Sequence, residues 1–312
     1  MTLVLTRADV EALLEADELI DALADGFVDL SAGRASVPLR IAAFTPDGLL
    51  GAMPAYLPVA GALTIKLVTL FEGNTGTELP THQAAIAVFD PERGSLIALM
   101  DGTWITATRT AAGSALSTRV LARENARVLA IVGTGVQARS HAWALPRARA
   151  FEEVRVAGRD RPKADEIAAE LGARAFDSFE EAIAGADVVC ATTSSPEPVV
   201  RREWLAPGAH VTSVGQSSGR ELDEQTVLDA LVVVDSRAAL EPFPVGANDL
   251  SMLGGDDVHE LGEVIAGTAP GRTADDQLTL YKSVGNAAMD AAAAALVLRA
   301  ARERGTGREI EL

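Results

Sequence analysis

Apolar residues over the first thirty or so positions recur at helical spacing. Val10, Leu13, Leu14, Leu19, Ile20, Leu23 and Phe27 share one face, and Thr6 stands where an N-cap belongs. The span from Thr6 to about Gly33 is therefore predicted to hold one or two helices packed by that face. The period then changes to that of strands. Runs rich in apolar and β-branched residues at 49–57, 62–71, 84–89 and 96–100 read as short strands. Asp90-Pro91-Glu92-Arg93-Gly94, between the last two, predicts the turn of an antiparallel hairpin. The first third is expected to be a mixed α+β domain.

From Val128 the pattern repeats as strand, turn and helix. Apolar strand cores at 128–132, 154–157, 188–191, 211–214 and 231–234 alternate with helical stretches such as 162–171, and Ser178 with Glu181 forms a capping-box pattern. Such alternation predicts a parallel sheet covered by helices. An Ala-rich helical stretch at 107–121 is expected to carry the chain from the first domain into the second. Another, at about 286–304, has no strand behind it to complete a βαβ unit, so it is expected to return to the first domain. A chain of 312 residues is long enough for these two domains.

The turn after the first of those parallel strands is Gly133-Thr134-Gly135-Val136-Gln137-Ala138. Glycines between a buried strand and a helix let the backbone approach a pyrophosphate, and the helix N-terminus then presents free amides to its charge. Gly133 suits the tight turn, Gly135 the close approach, and the small Ala138 the packing of helix on strand. Six residues alone are a weak signal. Their place after Val128-Leu129-Ala130-Ile131-Val132 and before a helix is the context the motif requires, and it predicts a Rossmann dinucleotide-binding domain.

The end of the second strand bears on which dinucleotide is bound. The strand 154–157 runs into Gly158-Arg159-Asp160-Arg161. Arg159 can offer a forked cation to a 2′-phosphate, with Arg161 or Lys163 beside it, which favours NADP(H). Asp160 would serve NAD(H) if it, and not Arg159, faces the ribose.

Charge and composition narrow the function classes. Hydrophobic residues make up 48% and charged residues 23%, as in a globular protein, and the net charge is 27 − 44 = −17. No basic stripe is present to neutralise a phosphate backbone, so nucleic acid is not expected as a partner. Cys190, the single cysteine, lies in an apolar run and reads as a core residue. No basic leader precedes an apolar stretch near Met1, which predicts a cytoplasmic location. The longest candidate span, 287–300, is broken by Asp290 and too short to cross a bilayer, so no membrane partner is expected. His82, His141, His210 and His259 have no ligand-pair spacing, and no metal is expected; His82 alone is kept as a supporting residue of a site.

The cations of the first third stand in unusual settings. Lys66 lies within Leu63-Thr64-Ile65-Lys66-Leu67-Val68, Arg40 follows Val37-Pro38-Leu39, and Arg109 follows Thr106-Ala107-Thr108. A buried ammonium requires a partner or a ligand, and two guanidinium groups converging on one point would suit a carboxylate. By pattern alone each fits an exposed strand edge or helix face equally well.

Several blocks in one order resemble the ornithine cyclodeaminase and mu-crystallin family over nearly the whole chain. They are Met53-Pro54-Ala55-Tyr56, Thr64-Ile65-Lys66-Leu67-Val68-Thr69, Pro80-Thr81-His82-Gln83-Ala84, Met100-Asp101-Gly102, the stretch 105–112, the Gly133–Ala138 loop, the stretch 204–210, and Lys282-Ser283-Val284-Gly285. The resemblance implies an α/β protein: a Rossmann domain over 113–284, and an α+β substrate-binding and dimerisation domain over 1–112 and 285–312. It implies a homodimer in which Lys66 is the catalytic lysine and Arg40 and Arg109 hold a substrate carboxylate. Gly133, Thr134, Gly135, Val136, Gln137, Arg159, Thr192, Ser283 and Gly285 are the expected dinucleotide contacts.

Two departures stand out. A glutamate that the cyclodeaminases carry two residues before the Met-Pro pair is replaced by Gly51, and an aspartate after the strand ending at Val214 by Gln216. Without those carboxylates the expected chemistry is reduction of a small cyclic imino acid, Δ1-pyrroline-2-carboxylate or Δ1-piperideine-2-carboxylate, with NADPH, NADH remaining an alternative. Ornithine cyclodeamination, alanine dehydrogenation and non-catalytic ligand binding are the rival expectations.

Overall fold

A computed structural model describes residues 1–215 and 218–311. The chain forms two compact units, Met1–Arg109 with Asn286–Leu312, and Thr110–Gly285. In chain order the first unit begins with β1 (Thr2–Leu5), α1 (Arg7–Leu13), α2 (Ala16–Ser31), β2 (Ile41–Phe44), β3 (Leu49–Leu57), β4 (Ala62–Leu70), β5 (His82–Phe89) and β6 (Leu96–Asp101). The boundary falls within α3 (Gly102–Leu121). The second unit holds β7 (Val128–Val132), α4 (Val136–Ala144), β8 (Glu153–Ala157), α5 (Arg161–Leu171), β9 (Arg174–Ala175), α6 (Phe179–Ile183), β10 (Val188–Ala191) and β11 (His210–Ser213). It continues through α7 (Glu224–Asp229), β12 (Leu231–Val234), β13 (Val258–Glu260), α8 (Leu261–Ile265) and β14 (Thr279–Lys282), and α9 (Ala287–Arg304) and β15 (Arg308–Ile310) then close the first unit.

In the first unit seven strands lie in the order β15-β1-β6-β5-β4-β3-β2. The β5–β6 hairpin turns at Asp90, whose carboxylate accepts from Glu92 N at 2.8 Å while Gly94 takes a φ of 70°. One sheet face is covered by α9, with α2 packed against that helix. Ala62, Thr64 and Lys66 of β4 point to this covered face, beside Met53, Ala55 and Leu57 of β3. Thr6 caps α1 with a full capping box.

The second unit is an eight-stranded parallel sheet in the order β13-β12-β14-β11-β10-β7-β8-β9. Strand order reverses between β7 and β10, and open α/β sheets bind ligands outside the carboxyl ends of the strands at such a switch point. Gly133 follows β7 there and Thr192 follows β10.

Six strands were not foreseen from the pattern: β1, β2, β9, β13, β14 and β15. β1 and β15 pair with each other and β1 joins β6, so these short segments become strands only through distant partners. β13 has three residues, and β14 inserts between β11 and β12, its place in the sheet set by those distant partners. α3 begins five residues earlier than its Ala-rich stretch suggested. Asp101 Oδ1 accepts from Trp104 N at 2.8 Å, and Thr106 and Thr108 return their hydroxyls to the carbonyls of Gly102 and Trp104, which reconciles these poor helix formers with a helix. Among the described residues no helix is long and apolar enough to cross a membrane.

Candidate functional site

In the first unit the alternation of β4 turns Lys66 inward, where 2% of its side chain is exposed. Its Nζ lies 2.7 Å from Asp290 Oδ2, and Arg109 Nε lies 3.1 Å from Asp290 Oδ1. Arg109 comes from α3 and Asp290 from the first turn of α9, where an acidic side chain is also favoured by the helix dipole. Arg40 is half-buried just before β2, near enough that its charge acts on Lys66. Two cations that the sequence left separate thus share one carboxylate, and the charge of a third acts on Lys66.

The electrostatics follow from that gathering. Burial lowers the Lys66 pKa, Asp290 partly restores it, and Arg109 and then Arg40 lower it again, leaving it at about 8. Burial opposes the charge of Asp290, but Lys66 and Arg109 outweigh it and hold the carboxyl below its ordinary value. His82 begins β5, partly open to solvent; desolvation, then the charges of Lys66 and Arg109, keep its pKa below the usual value.

Arg109 spends Nε on Asp290, and among the described residues its Nη1 meets only the weak acceptor Met289 Sδ, at 3.6 Å. Its terminal nitrogens remain able to take a carboxylate. Gly51 faces the same side of β3 as Met53, the register partner of Lys66, so no carboxylate stands at that place. Gln216 lies outside the described residues.

In the second unit Gly133 has a φ of +128°, and a Cβ there would stand 2.5 Å from Thr192 Oγ1. Only glycine fits such a position. A Cβ on Gly135, by contrast, would meet nothing within 4 Å; protein packing does not require that glycine, whereas an approaching phosphate does. The N–H groups of Thr134, Gly135, Val136 and Gln137 make no hydrogen bond among the described residues, and they open α4. Ala138 is fully buried against the sheet. A dinucleotide pyrophosphate fits this donor set.

Beyond β8, Asp160 caps α5, its Oδ1 accepting from Lys163 N at 3.2 Å. Arg161 pairs with Asp165 at 2.9 Å and also with Asp177, and Lys163 lies 3.9 Å from Asp160. Arg159 is exposed and makes no ion pair among the described residues. Thr192 donates its hydroxyl to Val132 O, while Ser283 Oγ and Gly285 N both donate to Asp235 Oδ2, at 2.8 and 2.7 Å. Those last two shape the loop after β14, on the same sheet edge as Gly133.

Two sets of residues escaped the sequence reading. Asp290 was seen only as a charge interrupting an Ala-rich helix, and that interruption was its one signal. At the carboxyl edge of the parallel sheet, Lys282 is fully buried, with Nζ 2.9 Å from Asp249, 2.8 Å from Ser213 Oγ and 2.7 Å from the carbonyl of Gly215. Glu221 receives Thr193 N, Ser213 Oγ and Gly215 N around the same loop.

Comparison with known proteins agrees with both halves. The sequence profile of the ornithine cyclodeaminase/mu-crystallin family matches residues 1–305. The ketimine reductase mu-crystallin of Mus musculus is 44% identical over 255 residues, 80% of each chain. The structure of Thermococcus litoralis Δ(1)-pyrroline-2-carboxylate reductase in complex with NADH and L-proline matches with a TM-score of 0.92 at 36% identity, covering 99% of this chain and 100% of that one. An archaeal alanine dehydrogenase dimer with bound NAD matches at 0.90 and 32% identity, covering 99% of both chains.

Proposed function

Because the chain belongs to the ornithine cyclodeaminase/mu-crystallin family, we propose that it reduces a small cyclic imino acid to the corresponding L-amino acid with NADPH. Δ1-Pyrroline-2-carboxylate and Δ1-piperideine-2-carboxylate are the substrates of the right class. The observation that carries this reading is the buried Lys66, held at 2.7 Å by Asp290 with Arg109 and Arg40 around it.

Arg40 and the terminal nitrogens of Arg109 hold the substrate carboxylate, which fixes the orientation of the ring. Lys66, with a pKa of about 8, is protonated at neutral pH and close enough to neutrality to give that proton up. It donates to the imine nitrogen. A reduced nicotinamide, when bound, supplies the hydride that completes the C–H bond. Gly133, Gly135 and the open amides of α4 hold the pyrophosphate, and Arg159 meets the 2′-phosphate that distinguishes NADP(H).

Gly51 favours this reading over cyclodeamination, because a ring-closing deamination has to manage the substrate's amines and no carboxylate stands there to do it. A second copy of the chain is the proposed partner, and the first unit the surface it uses. NADPH oxidation followed spectrophotometrically with Δ1-pyrroline-2-carboxylate tests the proposal. Turnover is expected, reduced at least about a hundredfold in Lys66→Ala as for loss of a positioned proton donor. Tight NADPH binding with no turnover of any cyclic imine would instead mark a binding protein.

A further inference from the structure

Asp290 has 1% of its side chain exposed, and its two oxygens are divided between two cations, Lys66 at 2.7 Å and Arg109 at 3.1 Å. A carboxylate buried so deeply is costly unless both oxygens are matched. Here the matches are the residue assigned the proton and one of the residues assigned the substrate carboxylate. Resting on the reduction proposed above, we propose that Asp290 is a positioning residue, fixing the Lys66 ammonium and the Arg109 guanidinium relative to one another through a single carboxylate.

The charges facing Lys66 come from four places. Arg109 is on α3, Arg40 precedes β2, His82 opens β5, and Asp290 on α9 supplies the one anion acting on Lys66 among the described residues. Burial and the two guanidinium groups all drive Lys66 toward its neutral form, and Asp290 opposes them. Loss of that carboxylate would leave like charges together in a dry site, and the ammonium would release its proton at lower pH. This matters for the step itself. An N–H bond of Lys66 breaks, an N–H bond to the imine nitrogen forms, hydride adds to the adjacent carbon, and neutral Lys66 recovers its proton from solvent. An amine already neutral at working pH has no proton to give.

Asp290 differs from the substrate-binding arginines in what its removal should do. Replacing it with asparagine keeps the shape and removes the charge, so anionic substrate should bind no more weakly. The loss should fall on kcat and on its alkaline limb.

The chain has three lysines, Lys66, Lys163 and Lys282, so protein carrying 13C at the lysine ε-carbon gives three resonances that titrate without cofactor or turnover. The Lys66 resonance is identified by its absence in Lys66→Met. Its midpoint is expected near pH 8 in the native chain and at least about one unit lower in Asp290→Asn. The alkaline limb of kcat for NADPH oxidation should move with it, KM should not rise, and Asp290→Glu should keep most of the native limb. An unchanged Lys66 midpoint in folded Asp290→Asn overturns the role. If that variant does not fold, Asp290→Ser removes the same charge with a smaller side chain and should lower the midpoint likewise; no change there overturns it equally. A midpoint that shifts as expected in a chain that reduces no imine would overturn the reduction and not the coupling.

Discussion

At the scale of single residues, register decides which side chains reach the chemistry. Lys66 pairs with Met53 and with Ile86, and the neighbouring Leu67 is 41% exposed on the opposite face. A slip of one residue would exchange the two and leave an ammonium in solvent. Arg159 is decided in the same local way. Asp160 is taken as the cap of α5 and Arg161 is paired along that helix, whereas Arg159 makes no ion pair among the described residues, which is what the proposed 2′-phosphate contact rests on. Arg159→Ala should therefore cut the preference for NADPH over NADH by at least about tenfold, the cost of about 1.4 kcal/mol for losing a charge-assisted contact. The ratio of kcat/KM for the two dinucleotides measures it. An unchanged ratio would remove Arg159 from the 2′-phosphate site.

Between elements of the second unit, a chain of buried polar groups joins helices to the sheet. His141 on α4 hydrogen-bonds through Nδ1 to Gln137 O at 2.7 Å and through Nε2 to Ser114 Oγ on α3 at 2.9 Å. A carbonyl only accepts, so His141 carries its proton on Nδ1 and receives the serine hydroxyl at Nε2. Ser117, also on α3, lies 3.3 Å from His210 Nε2 on β11, and His210 Nδ1 lies 2.9 Å from Thr279 Oγ1 on β14.

Both rings are driven toward neutrality, chiefly by burial, His141 to about 4 and His210 to about 3. The linkage has one sign. The unfolded chain binds protons on both imidazoles below about 6.5 and the folded chain does not, so stability rises with pH through this window. It is full above 6.5 and falls as the pH drops toward the folded values, by up to about 1.4 kcal/mol per pH unit for each ring. Urea midpoints measured from pH 6.5 down to about 5 should fall, and fall less steeply in His210→Asn. Equal slopes in the two proteins would show that His210 does not carry the effect.

For the whole molecule, the distribution of apolar surface points to assembly. On the uncovered face of the first unit's sheet, Leu50, Leu67 and Leu99 are exposed, and on edge strand β2 Ile41 and Phe44 are exposed as well. An apolar face ending in an apolar edge strand is a liability unless another chain covers it. Light scattering coupled to gel filtration is expected to return twice the chain's mass. Leu67→Glu, which places a charge within that face, is expected to shift the population to the single chain. A native protein that runs as a single chain would refute the interface.

Much of this was legible in the linear order of residues. Val128–Val132 followed by two spaced glycines implies a phosphate loop because strand, turn and helix are neighbours in the chain. Thr6, Ser178 and the Asp90 turn act over a few residues and were readable for the same reason. The cations could be singled out as cations in apolar settings, yet not joined, since Lys66, Arg109 and Asp290 are brought together only by β4, α3 and α9 packing in one unit. Asp290 was invisible as a partner because one aspartate in an alanine-rich helix has no periodic signature. β1, β14 and β15 were missed because a segment of three or four residues becomes a strand only when a distant partner supplies its hydrogen bonds. The sequence by itself thus determined the local chemistry: the phosphate loop, the helix caps, the hairpin turn and the side chains able to carry charge. Tertiary structure alone decided which of those charges share one buried carboxylate, because burial and Coulombic coupling depend on distance in space and not along the chain.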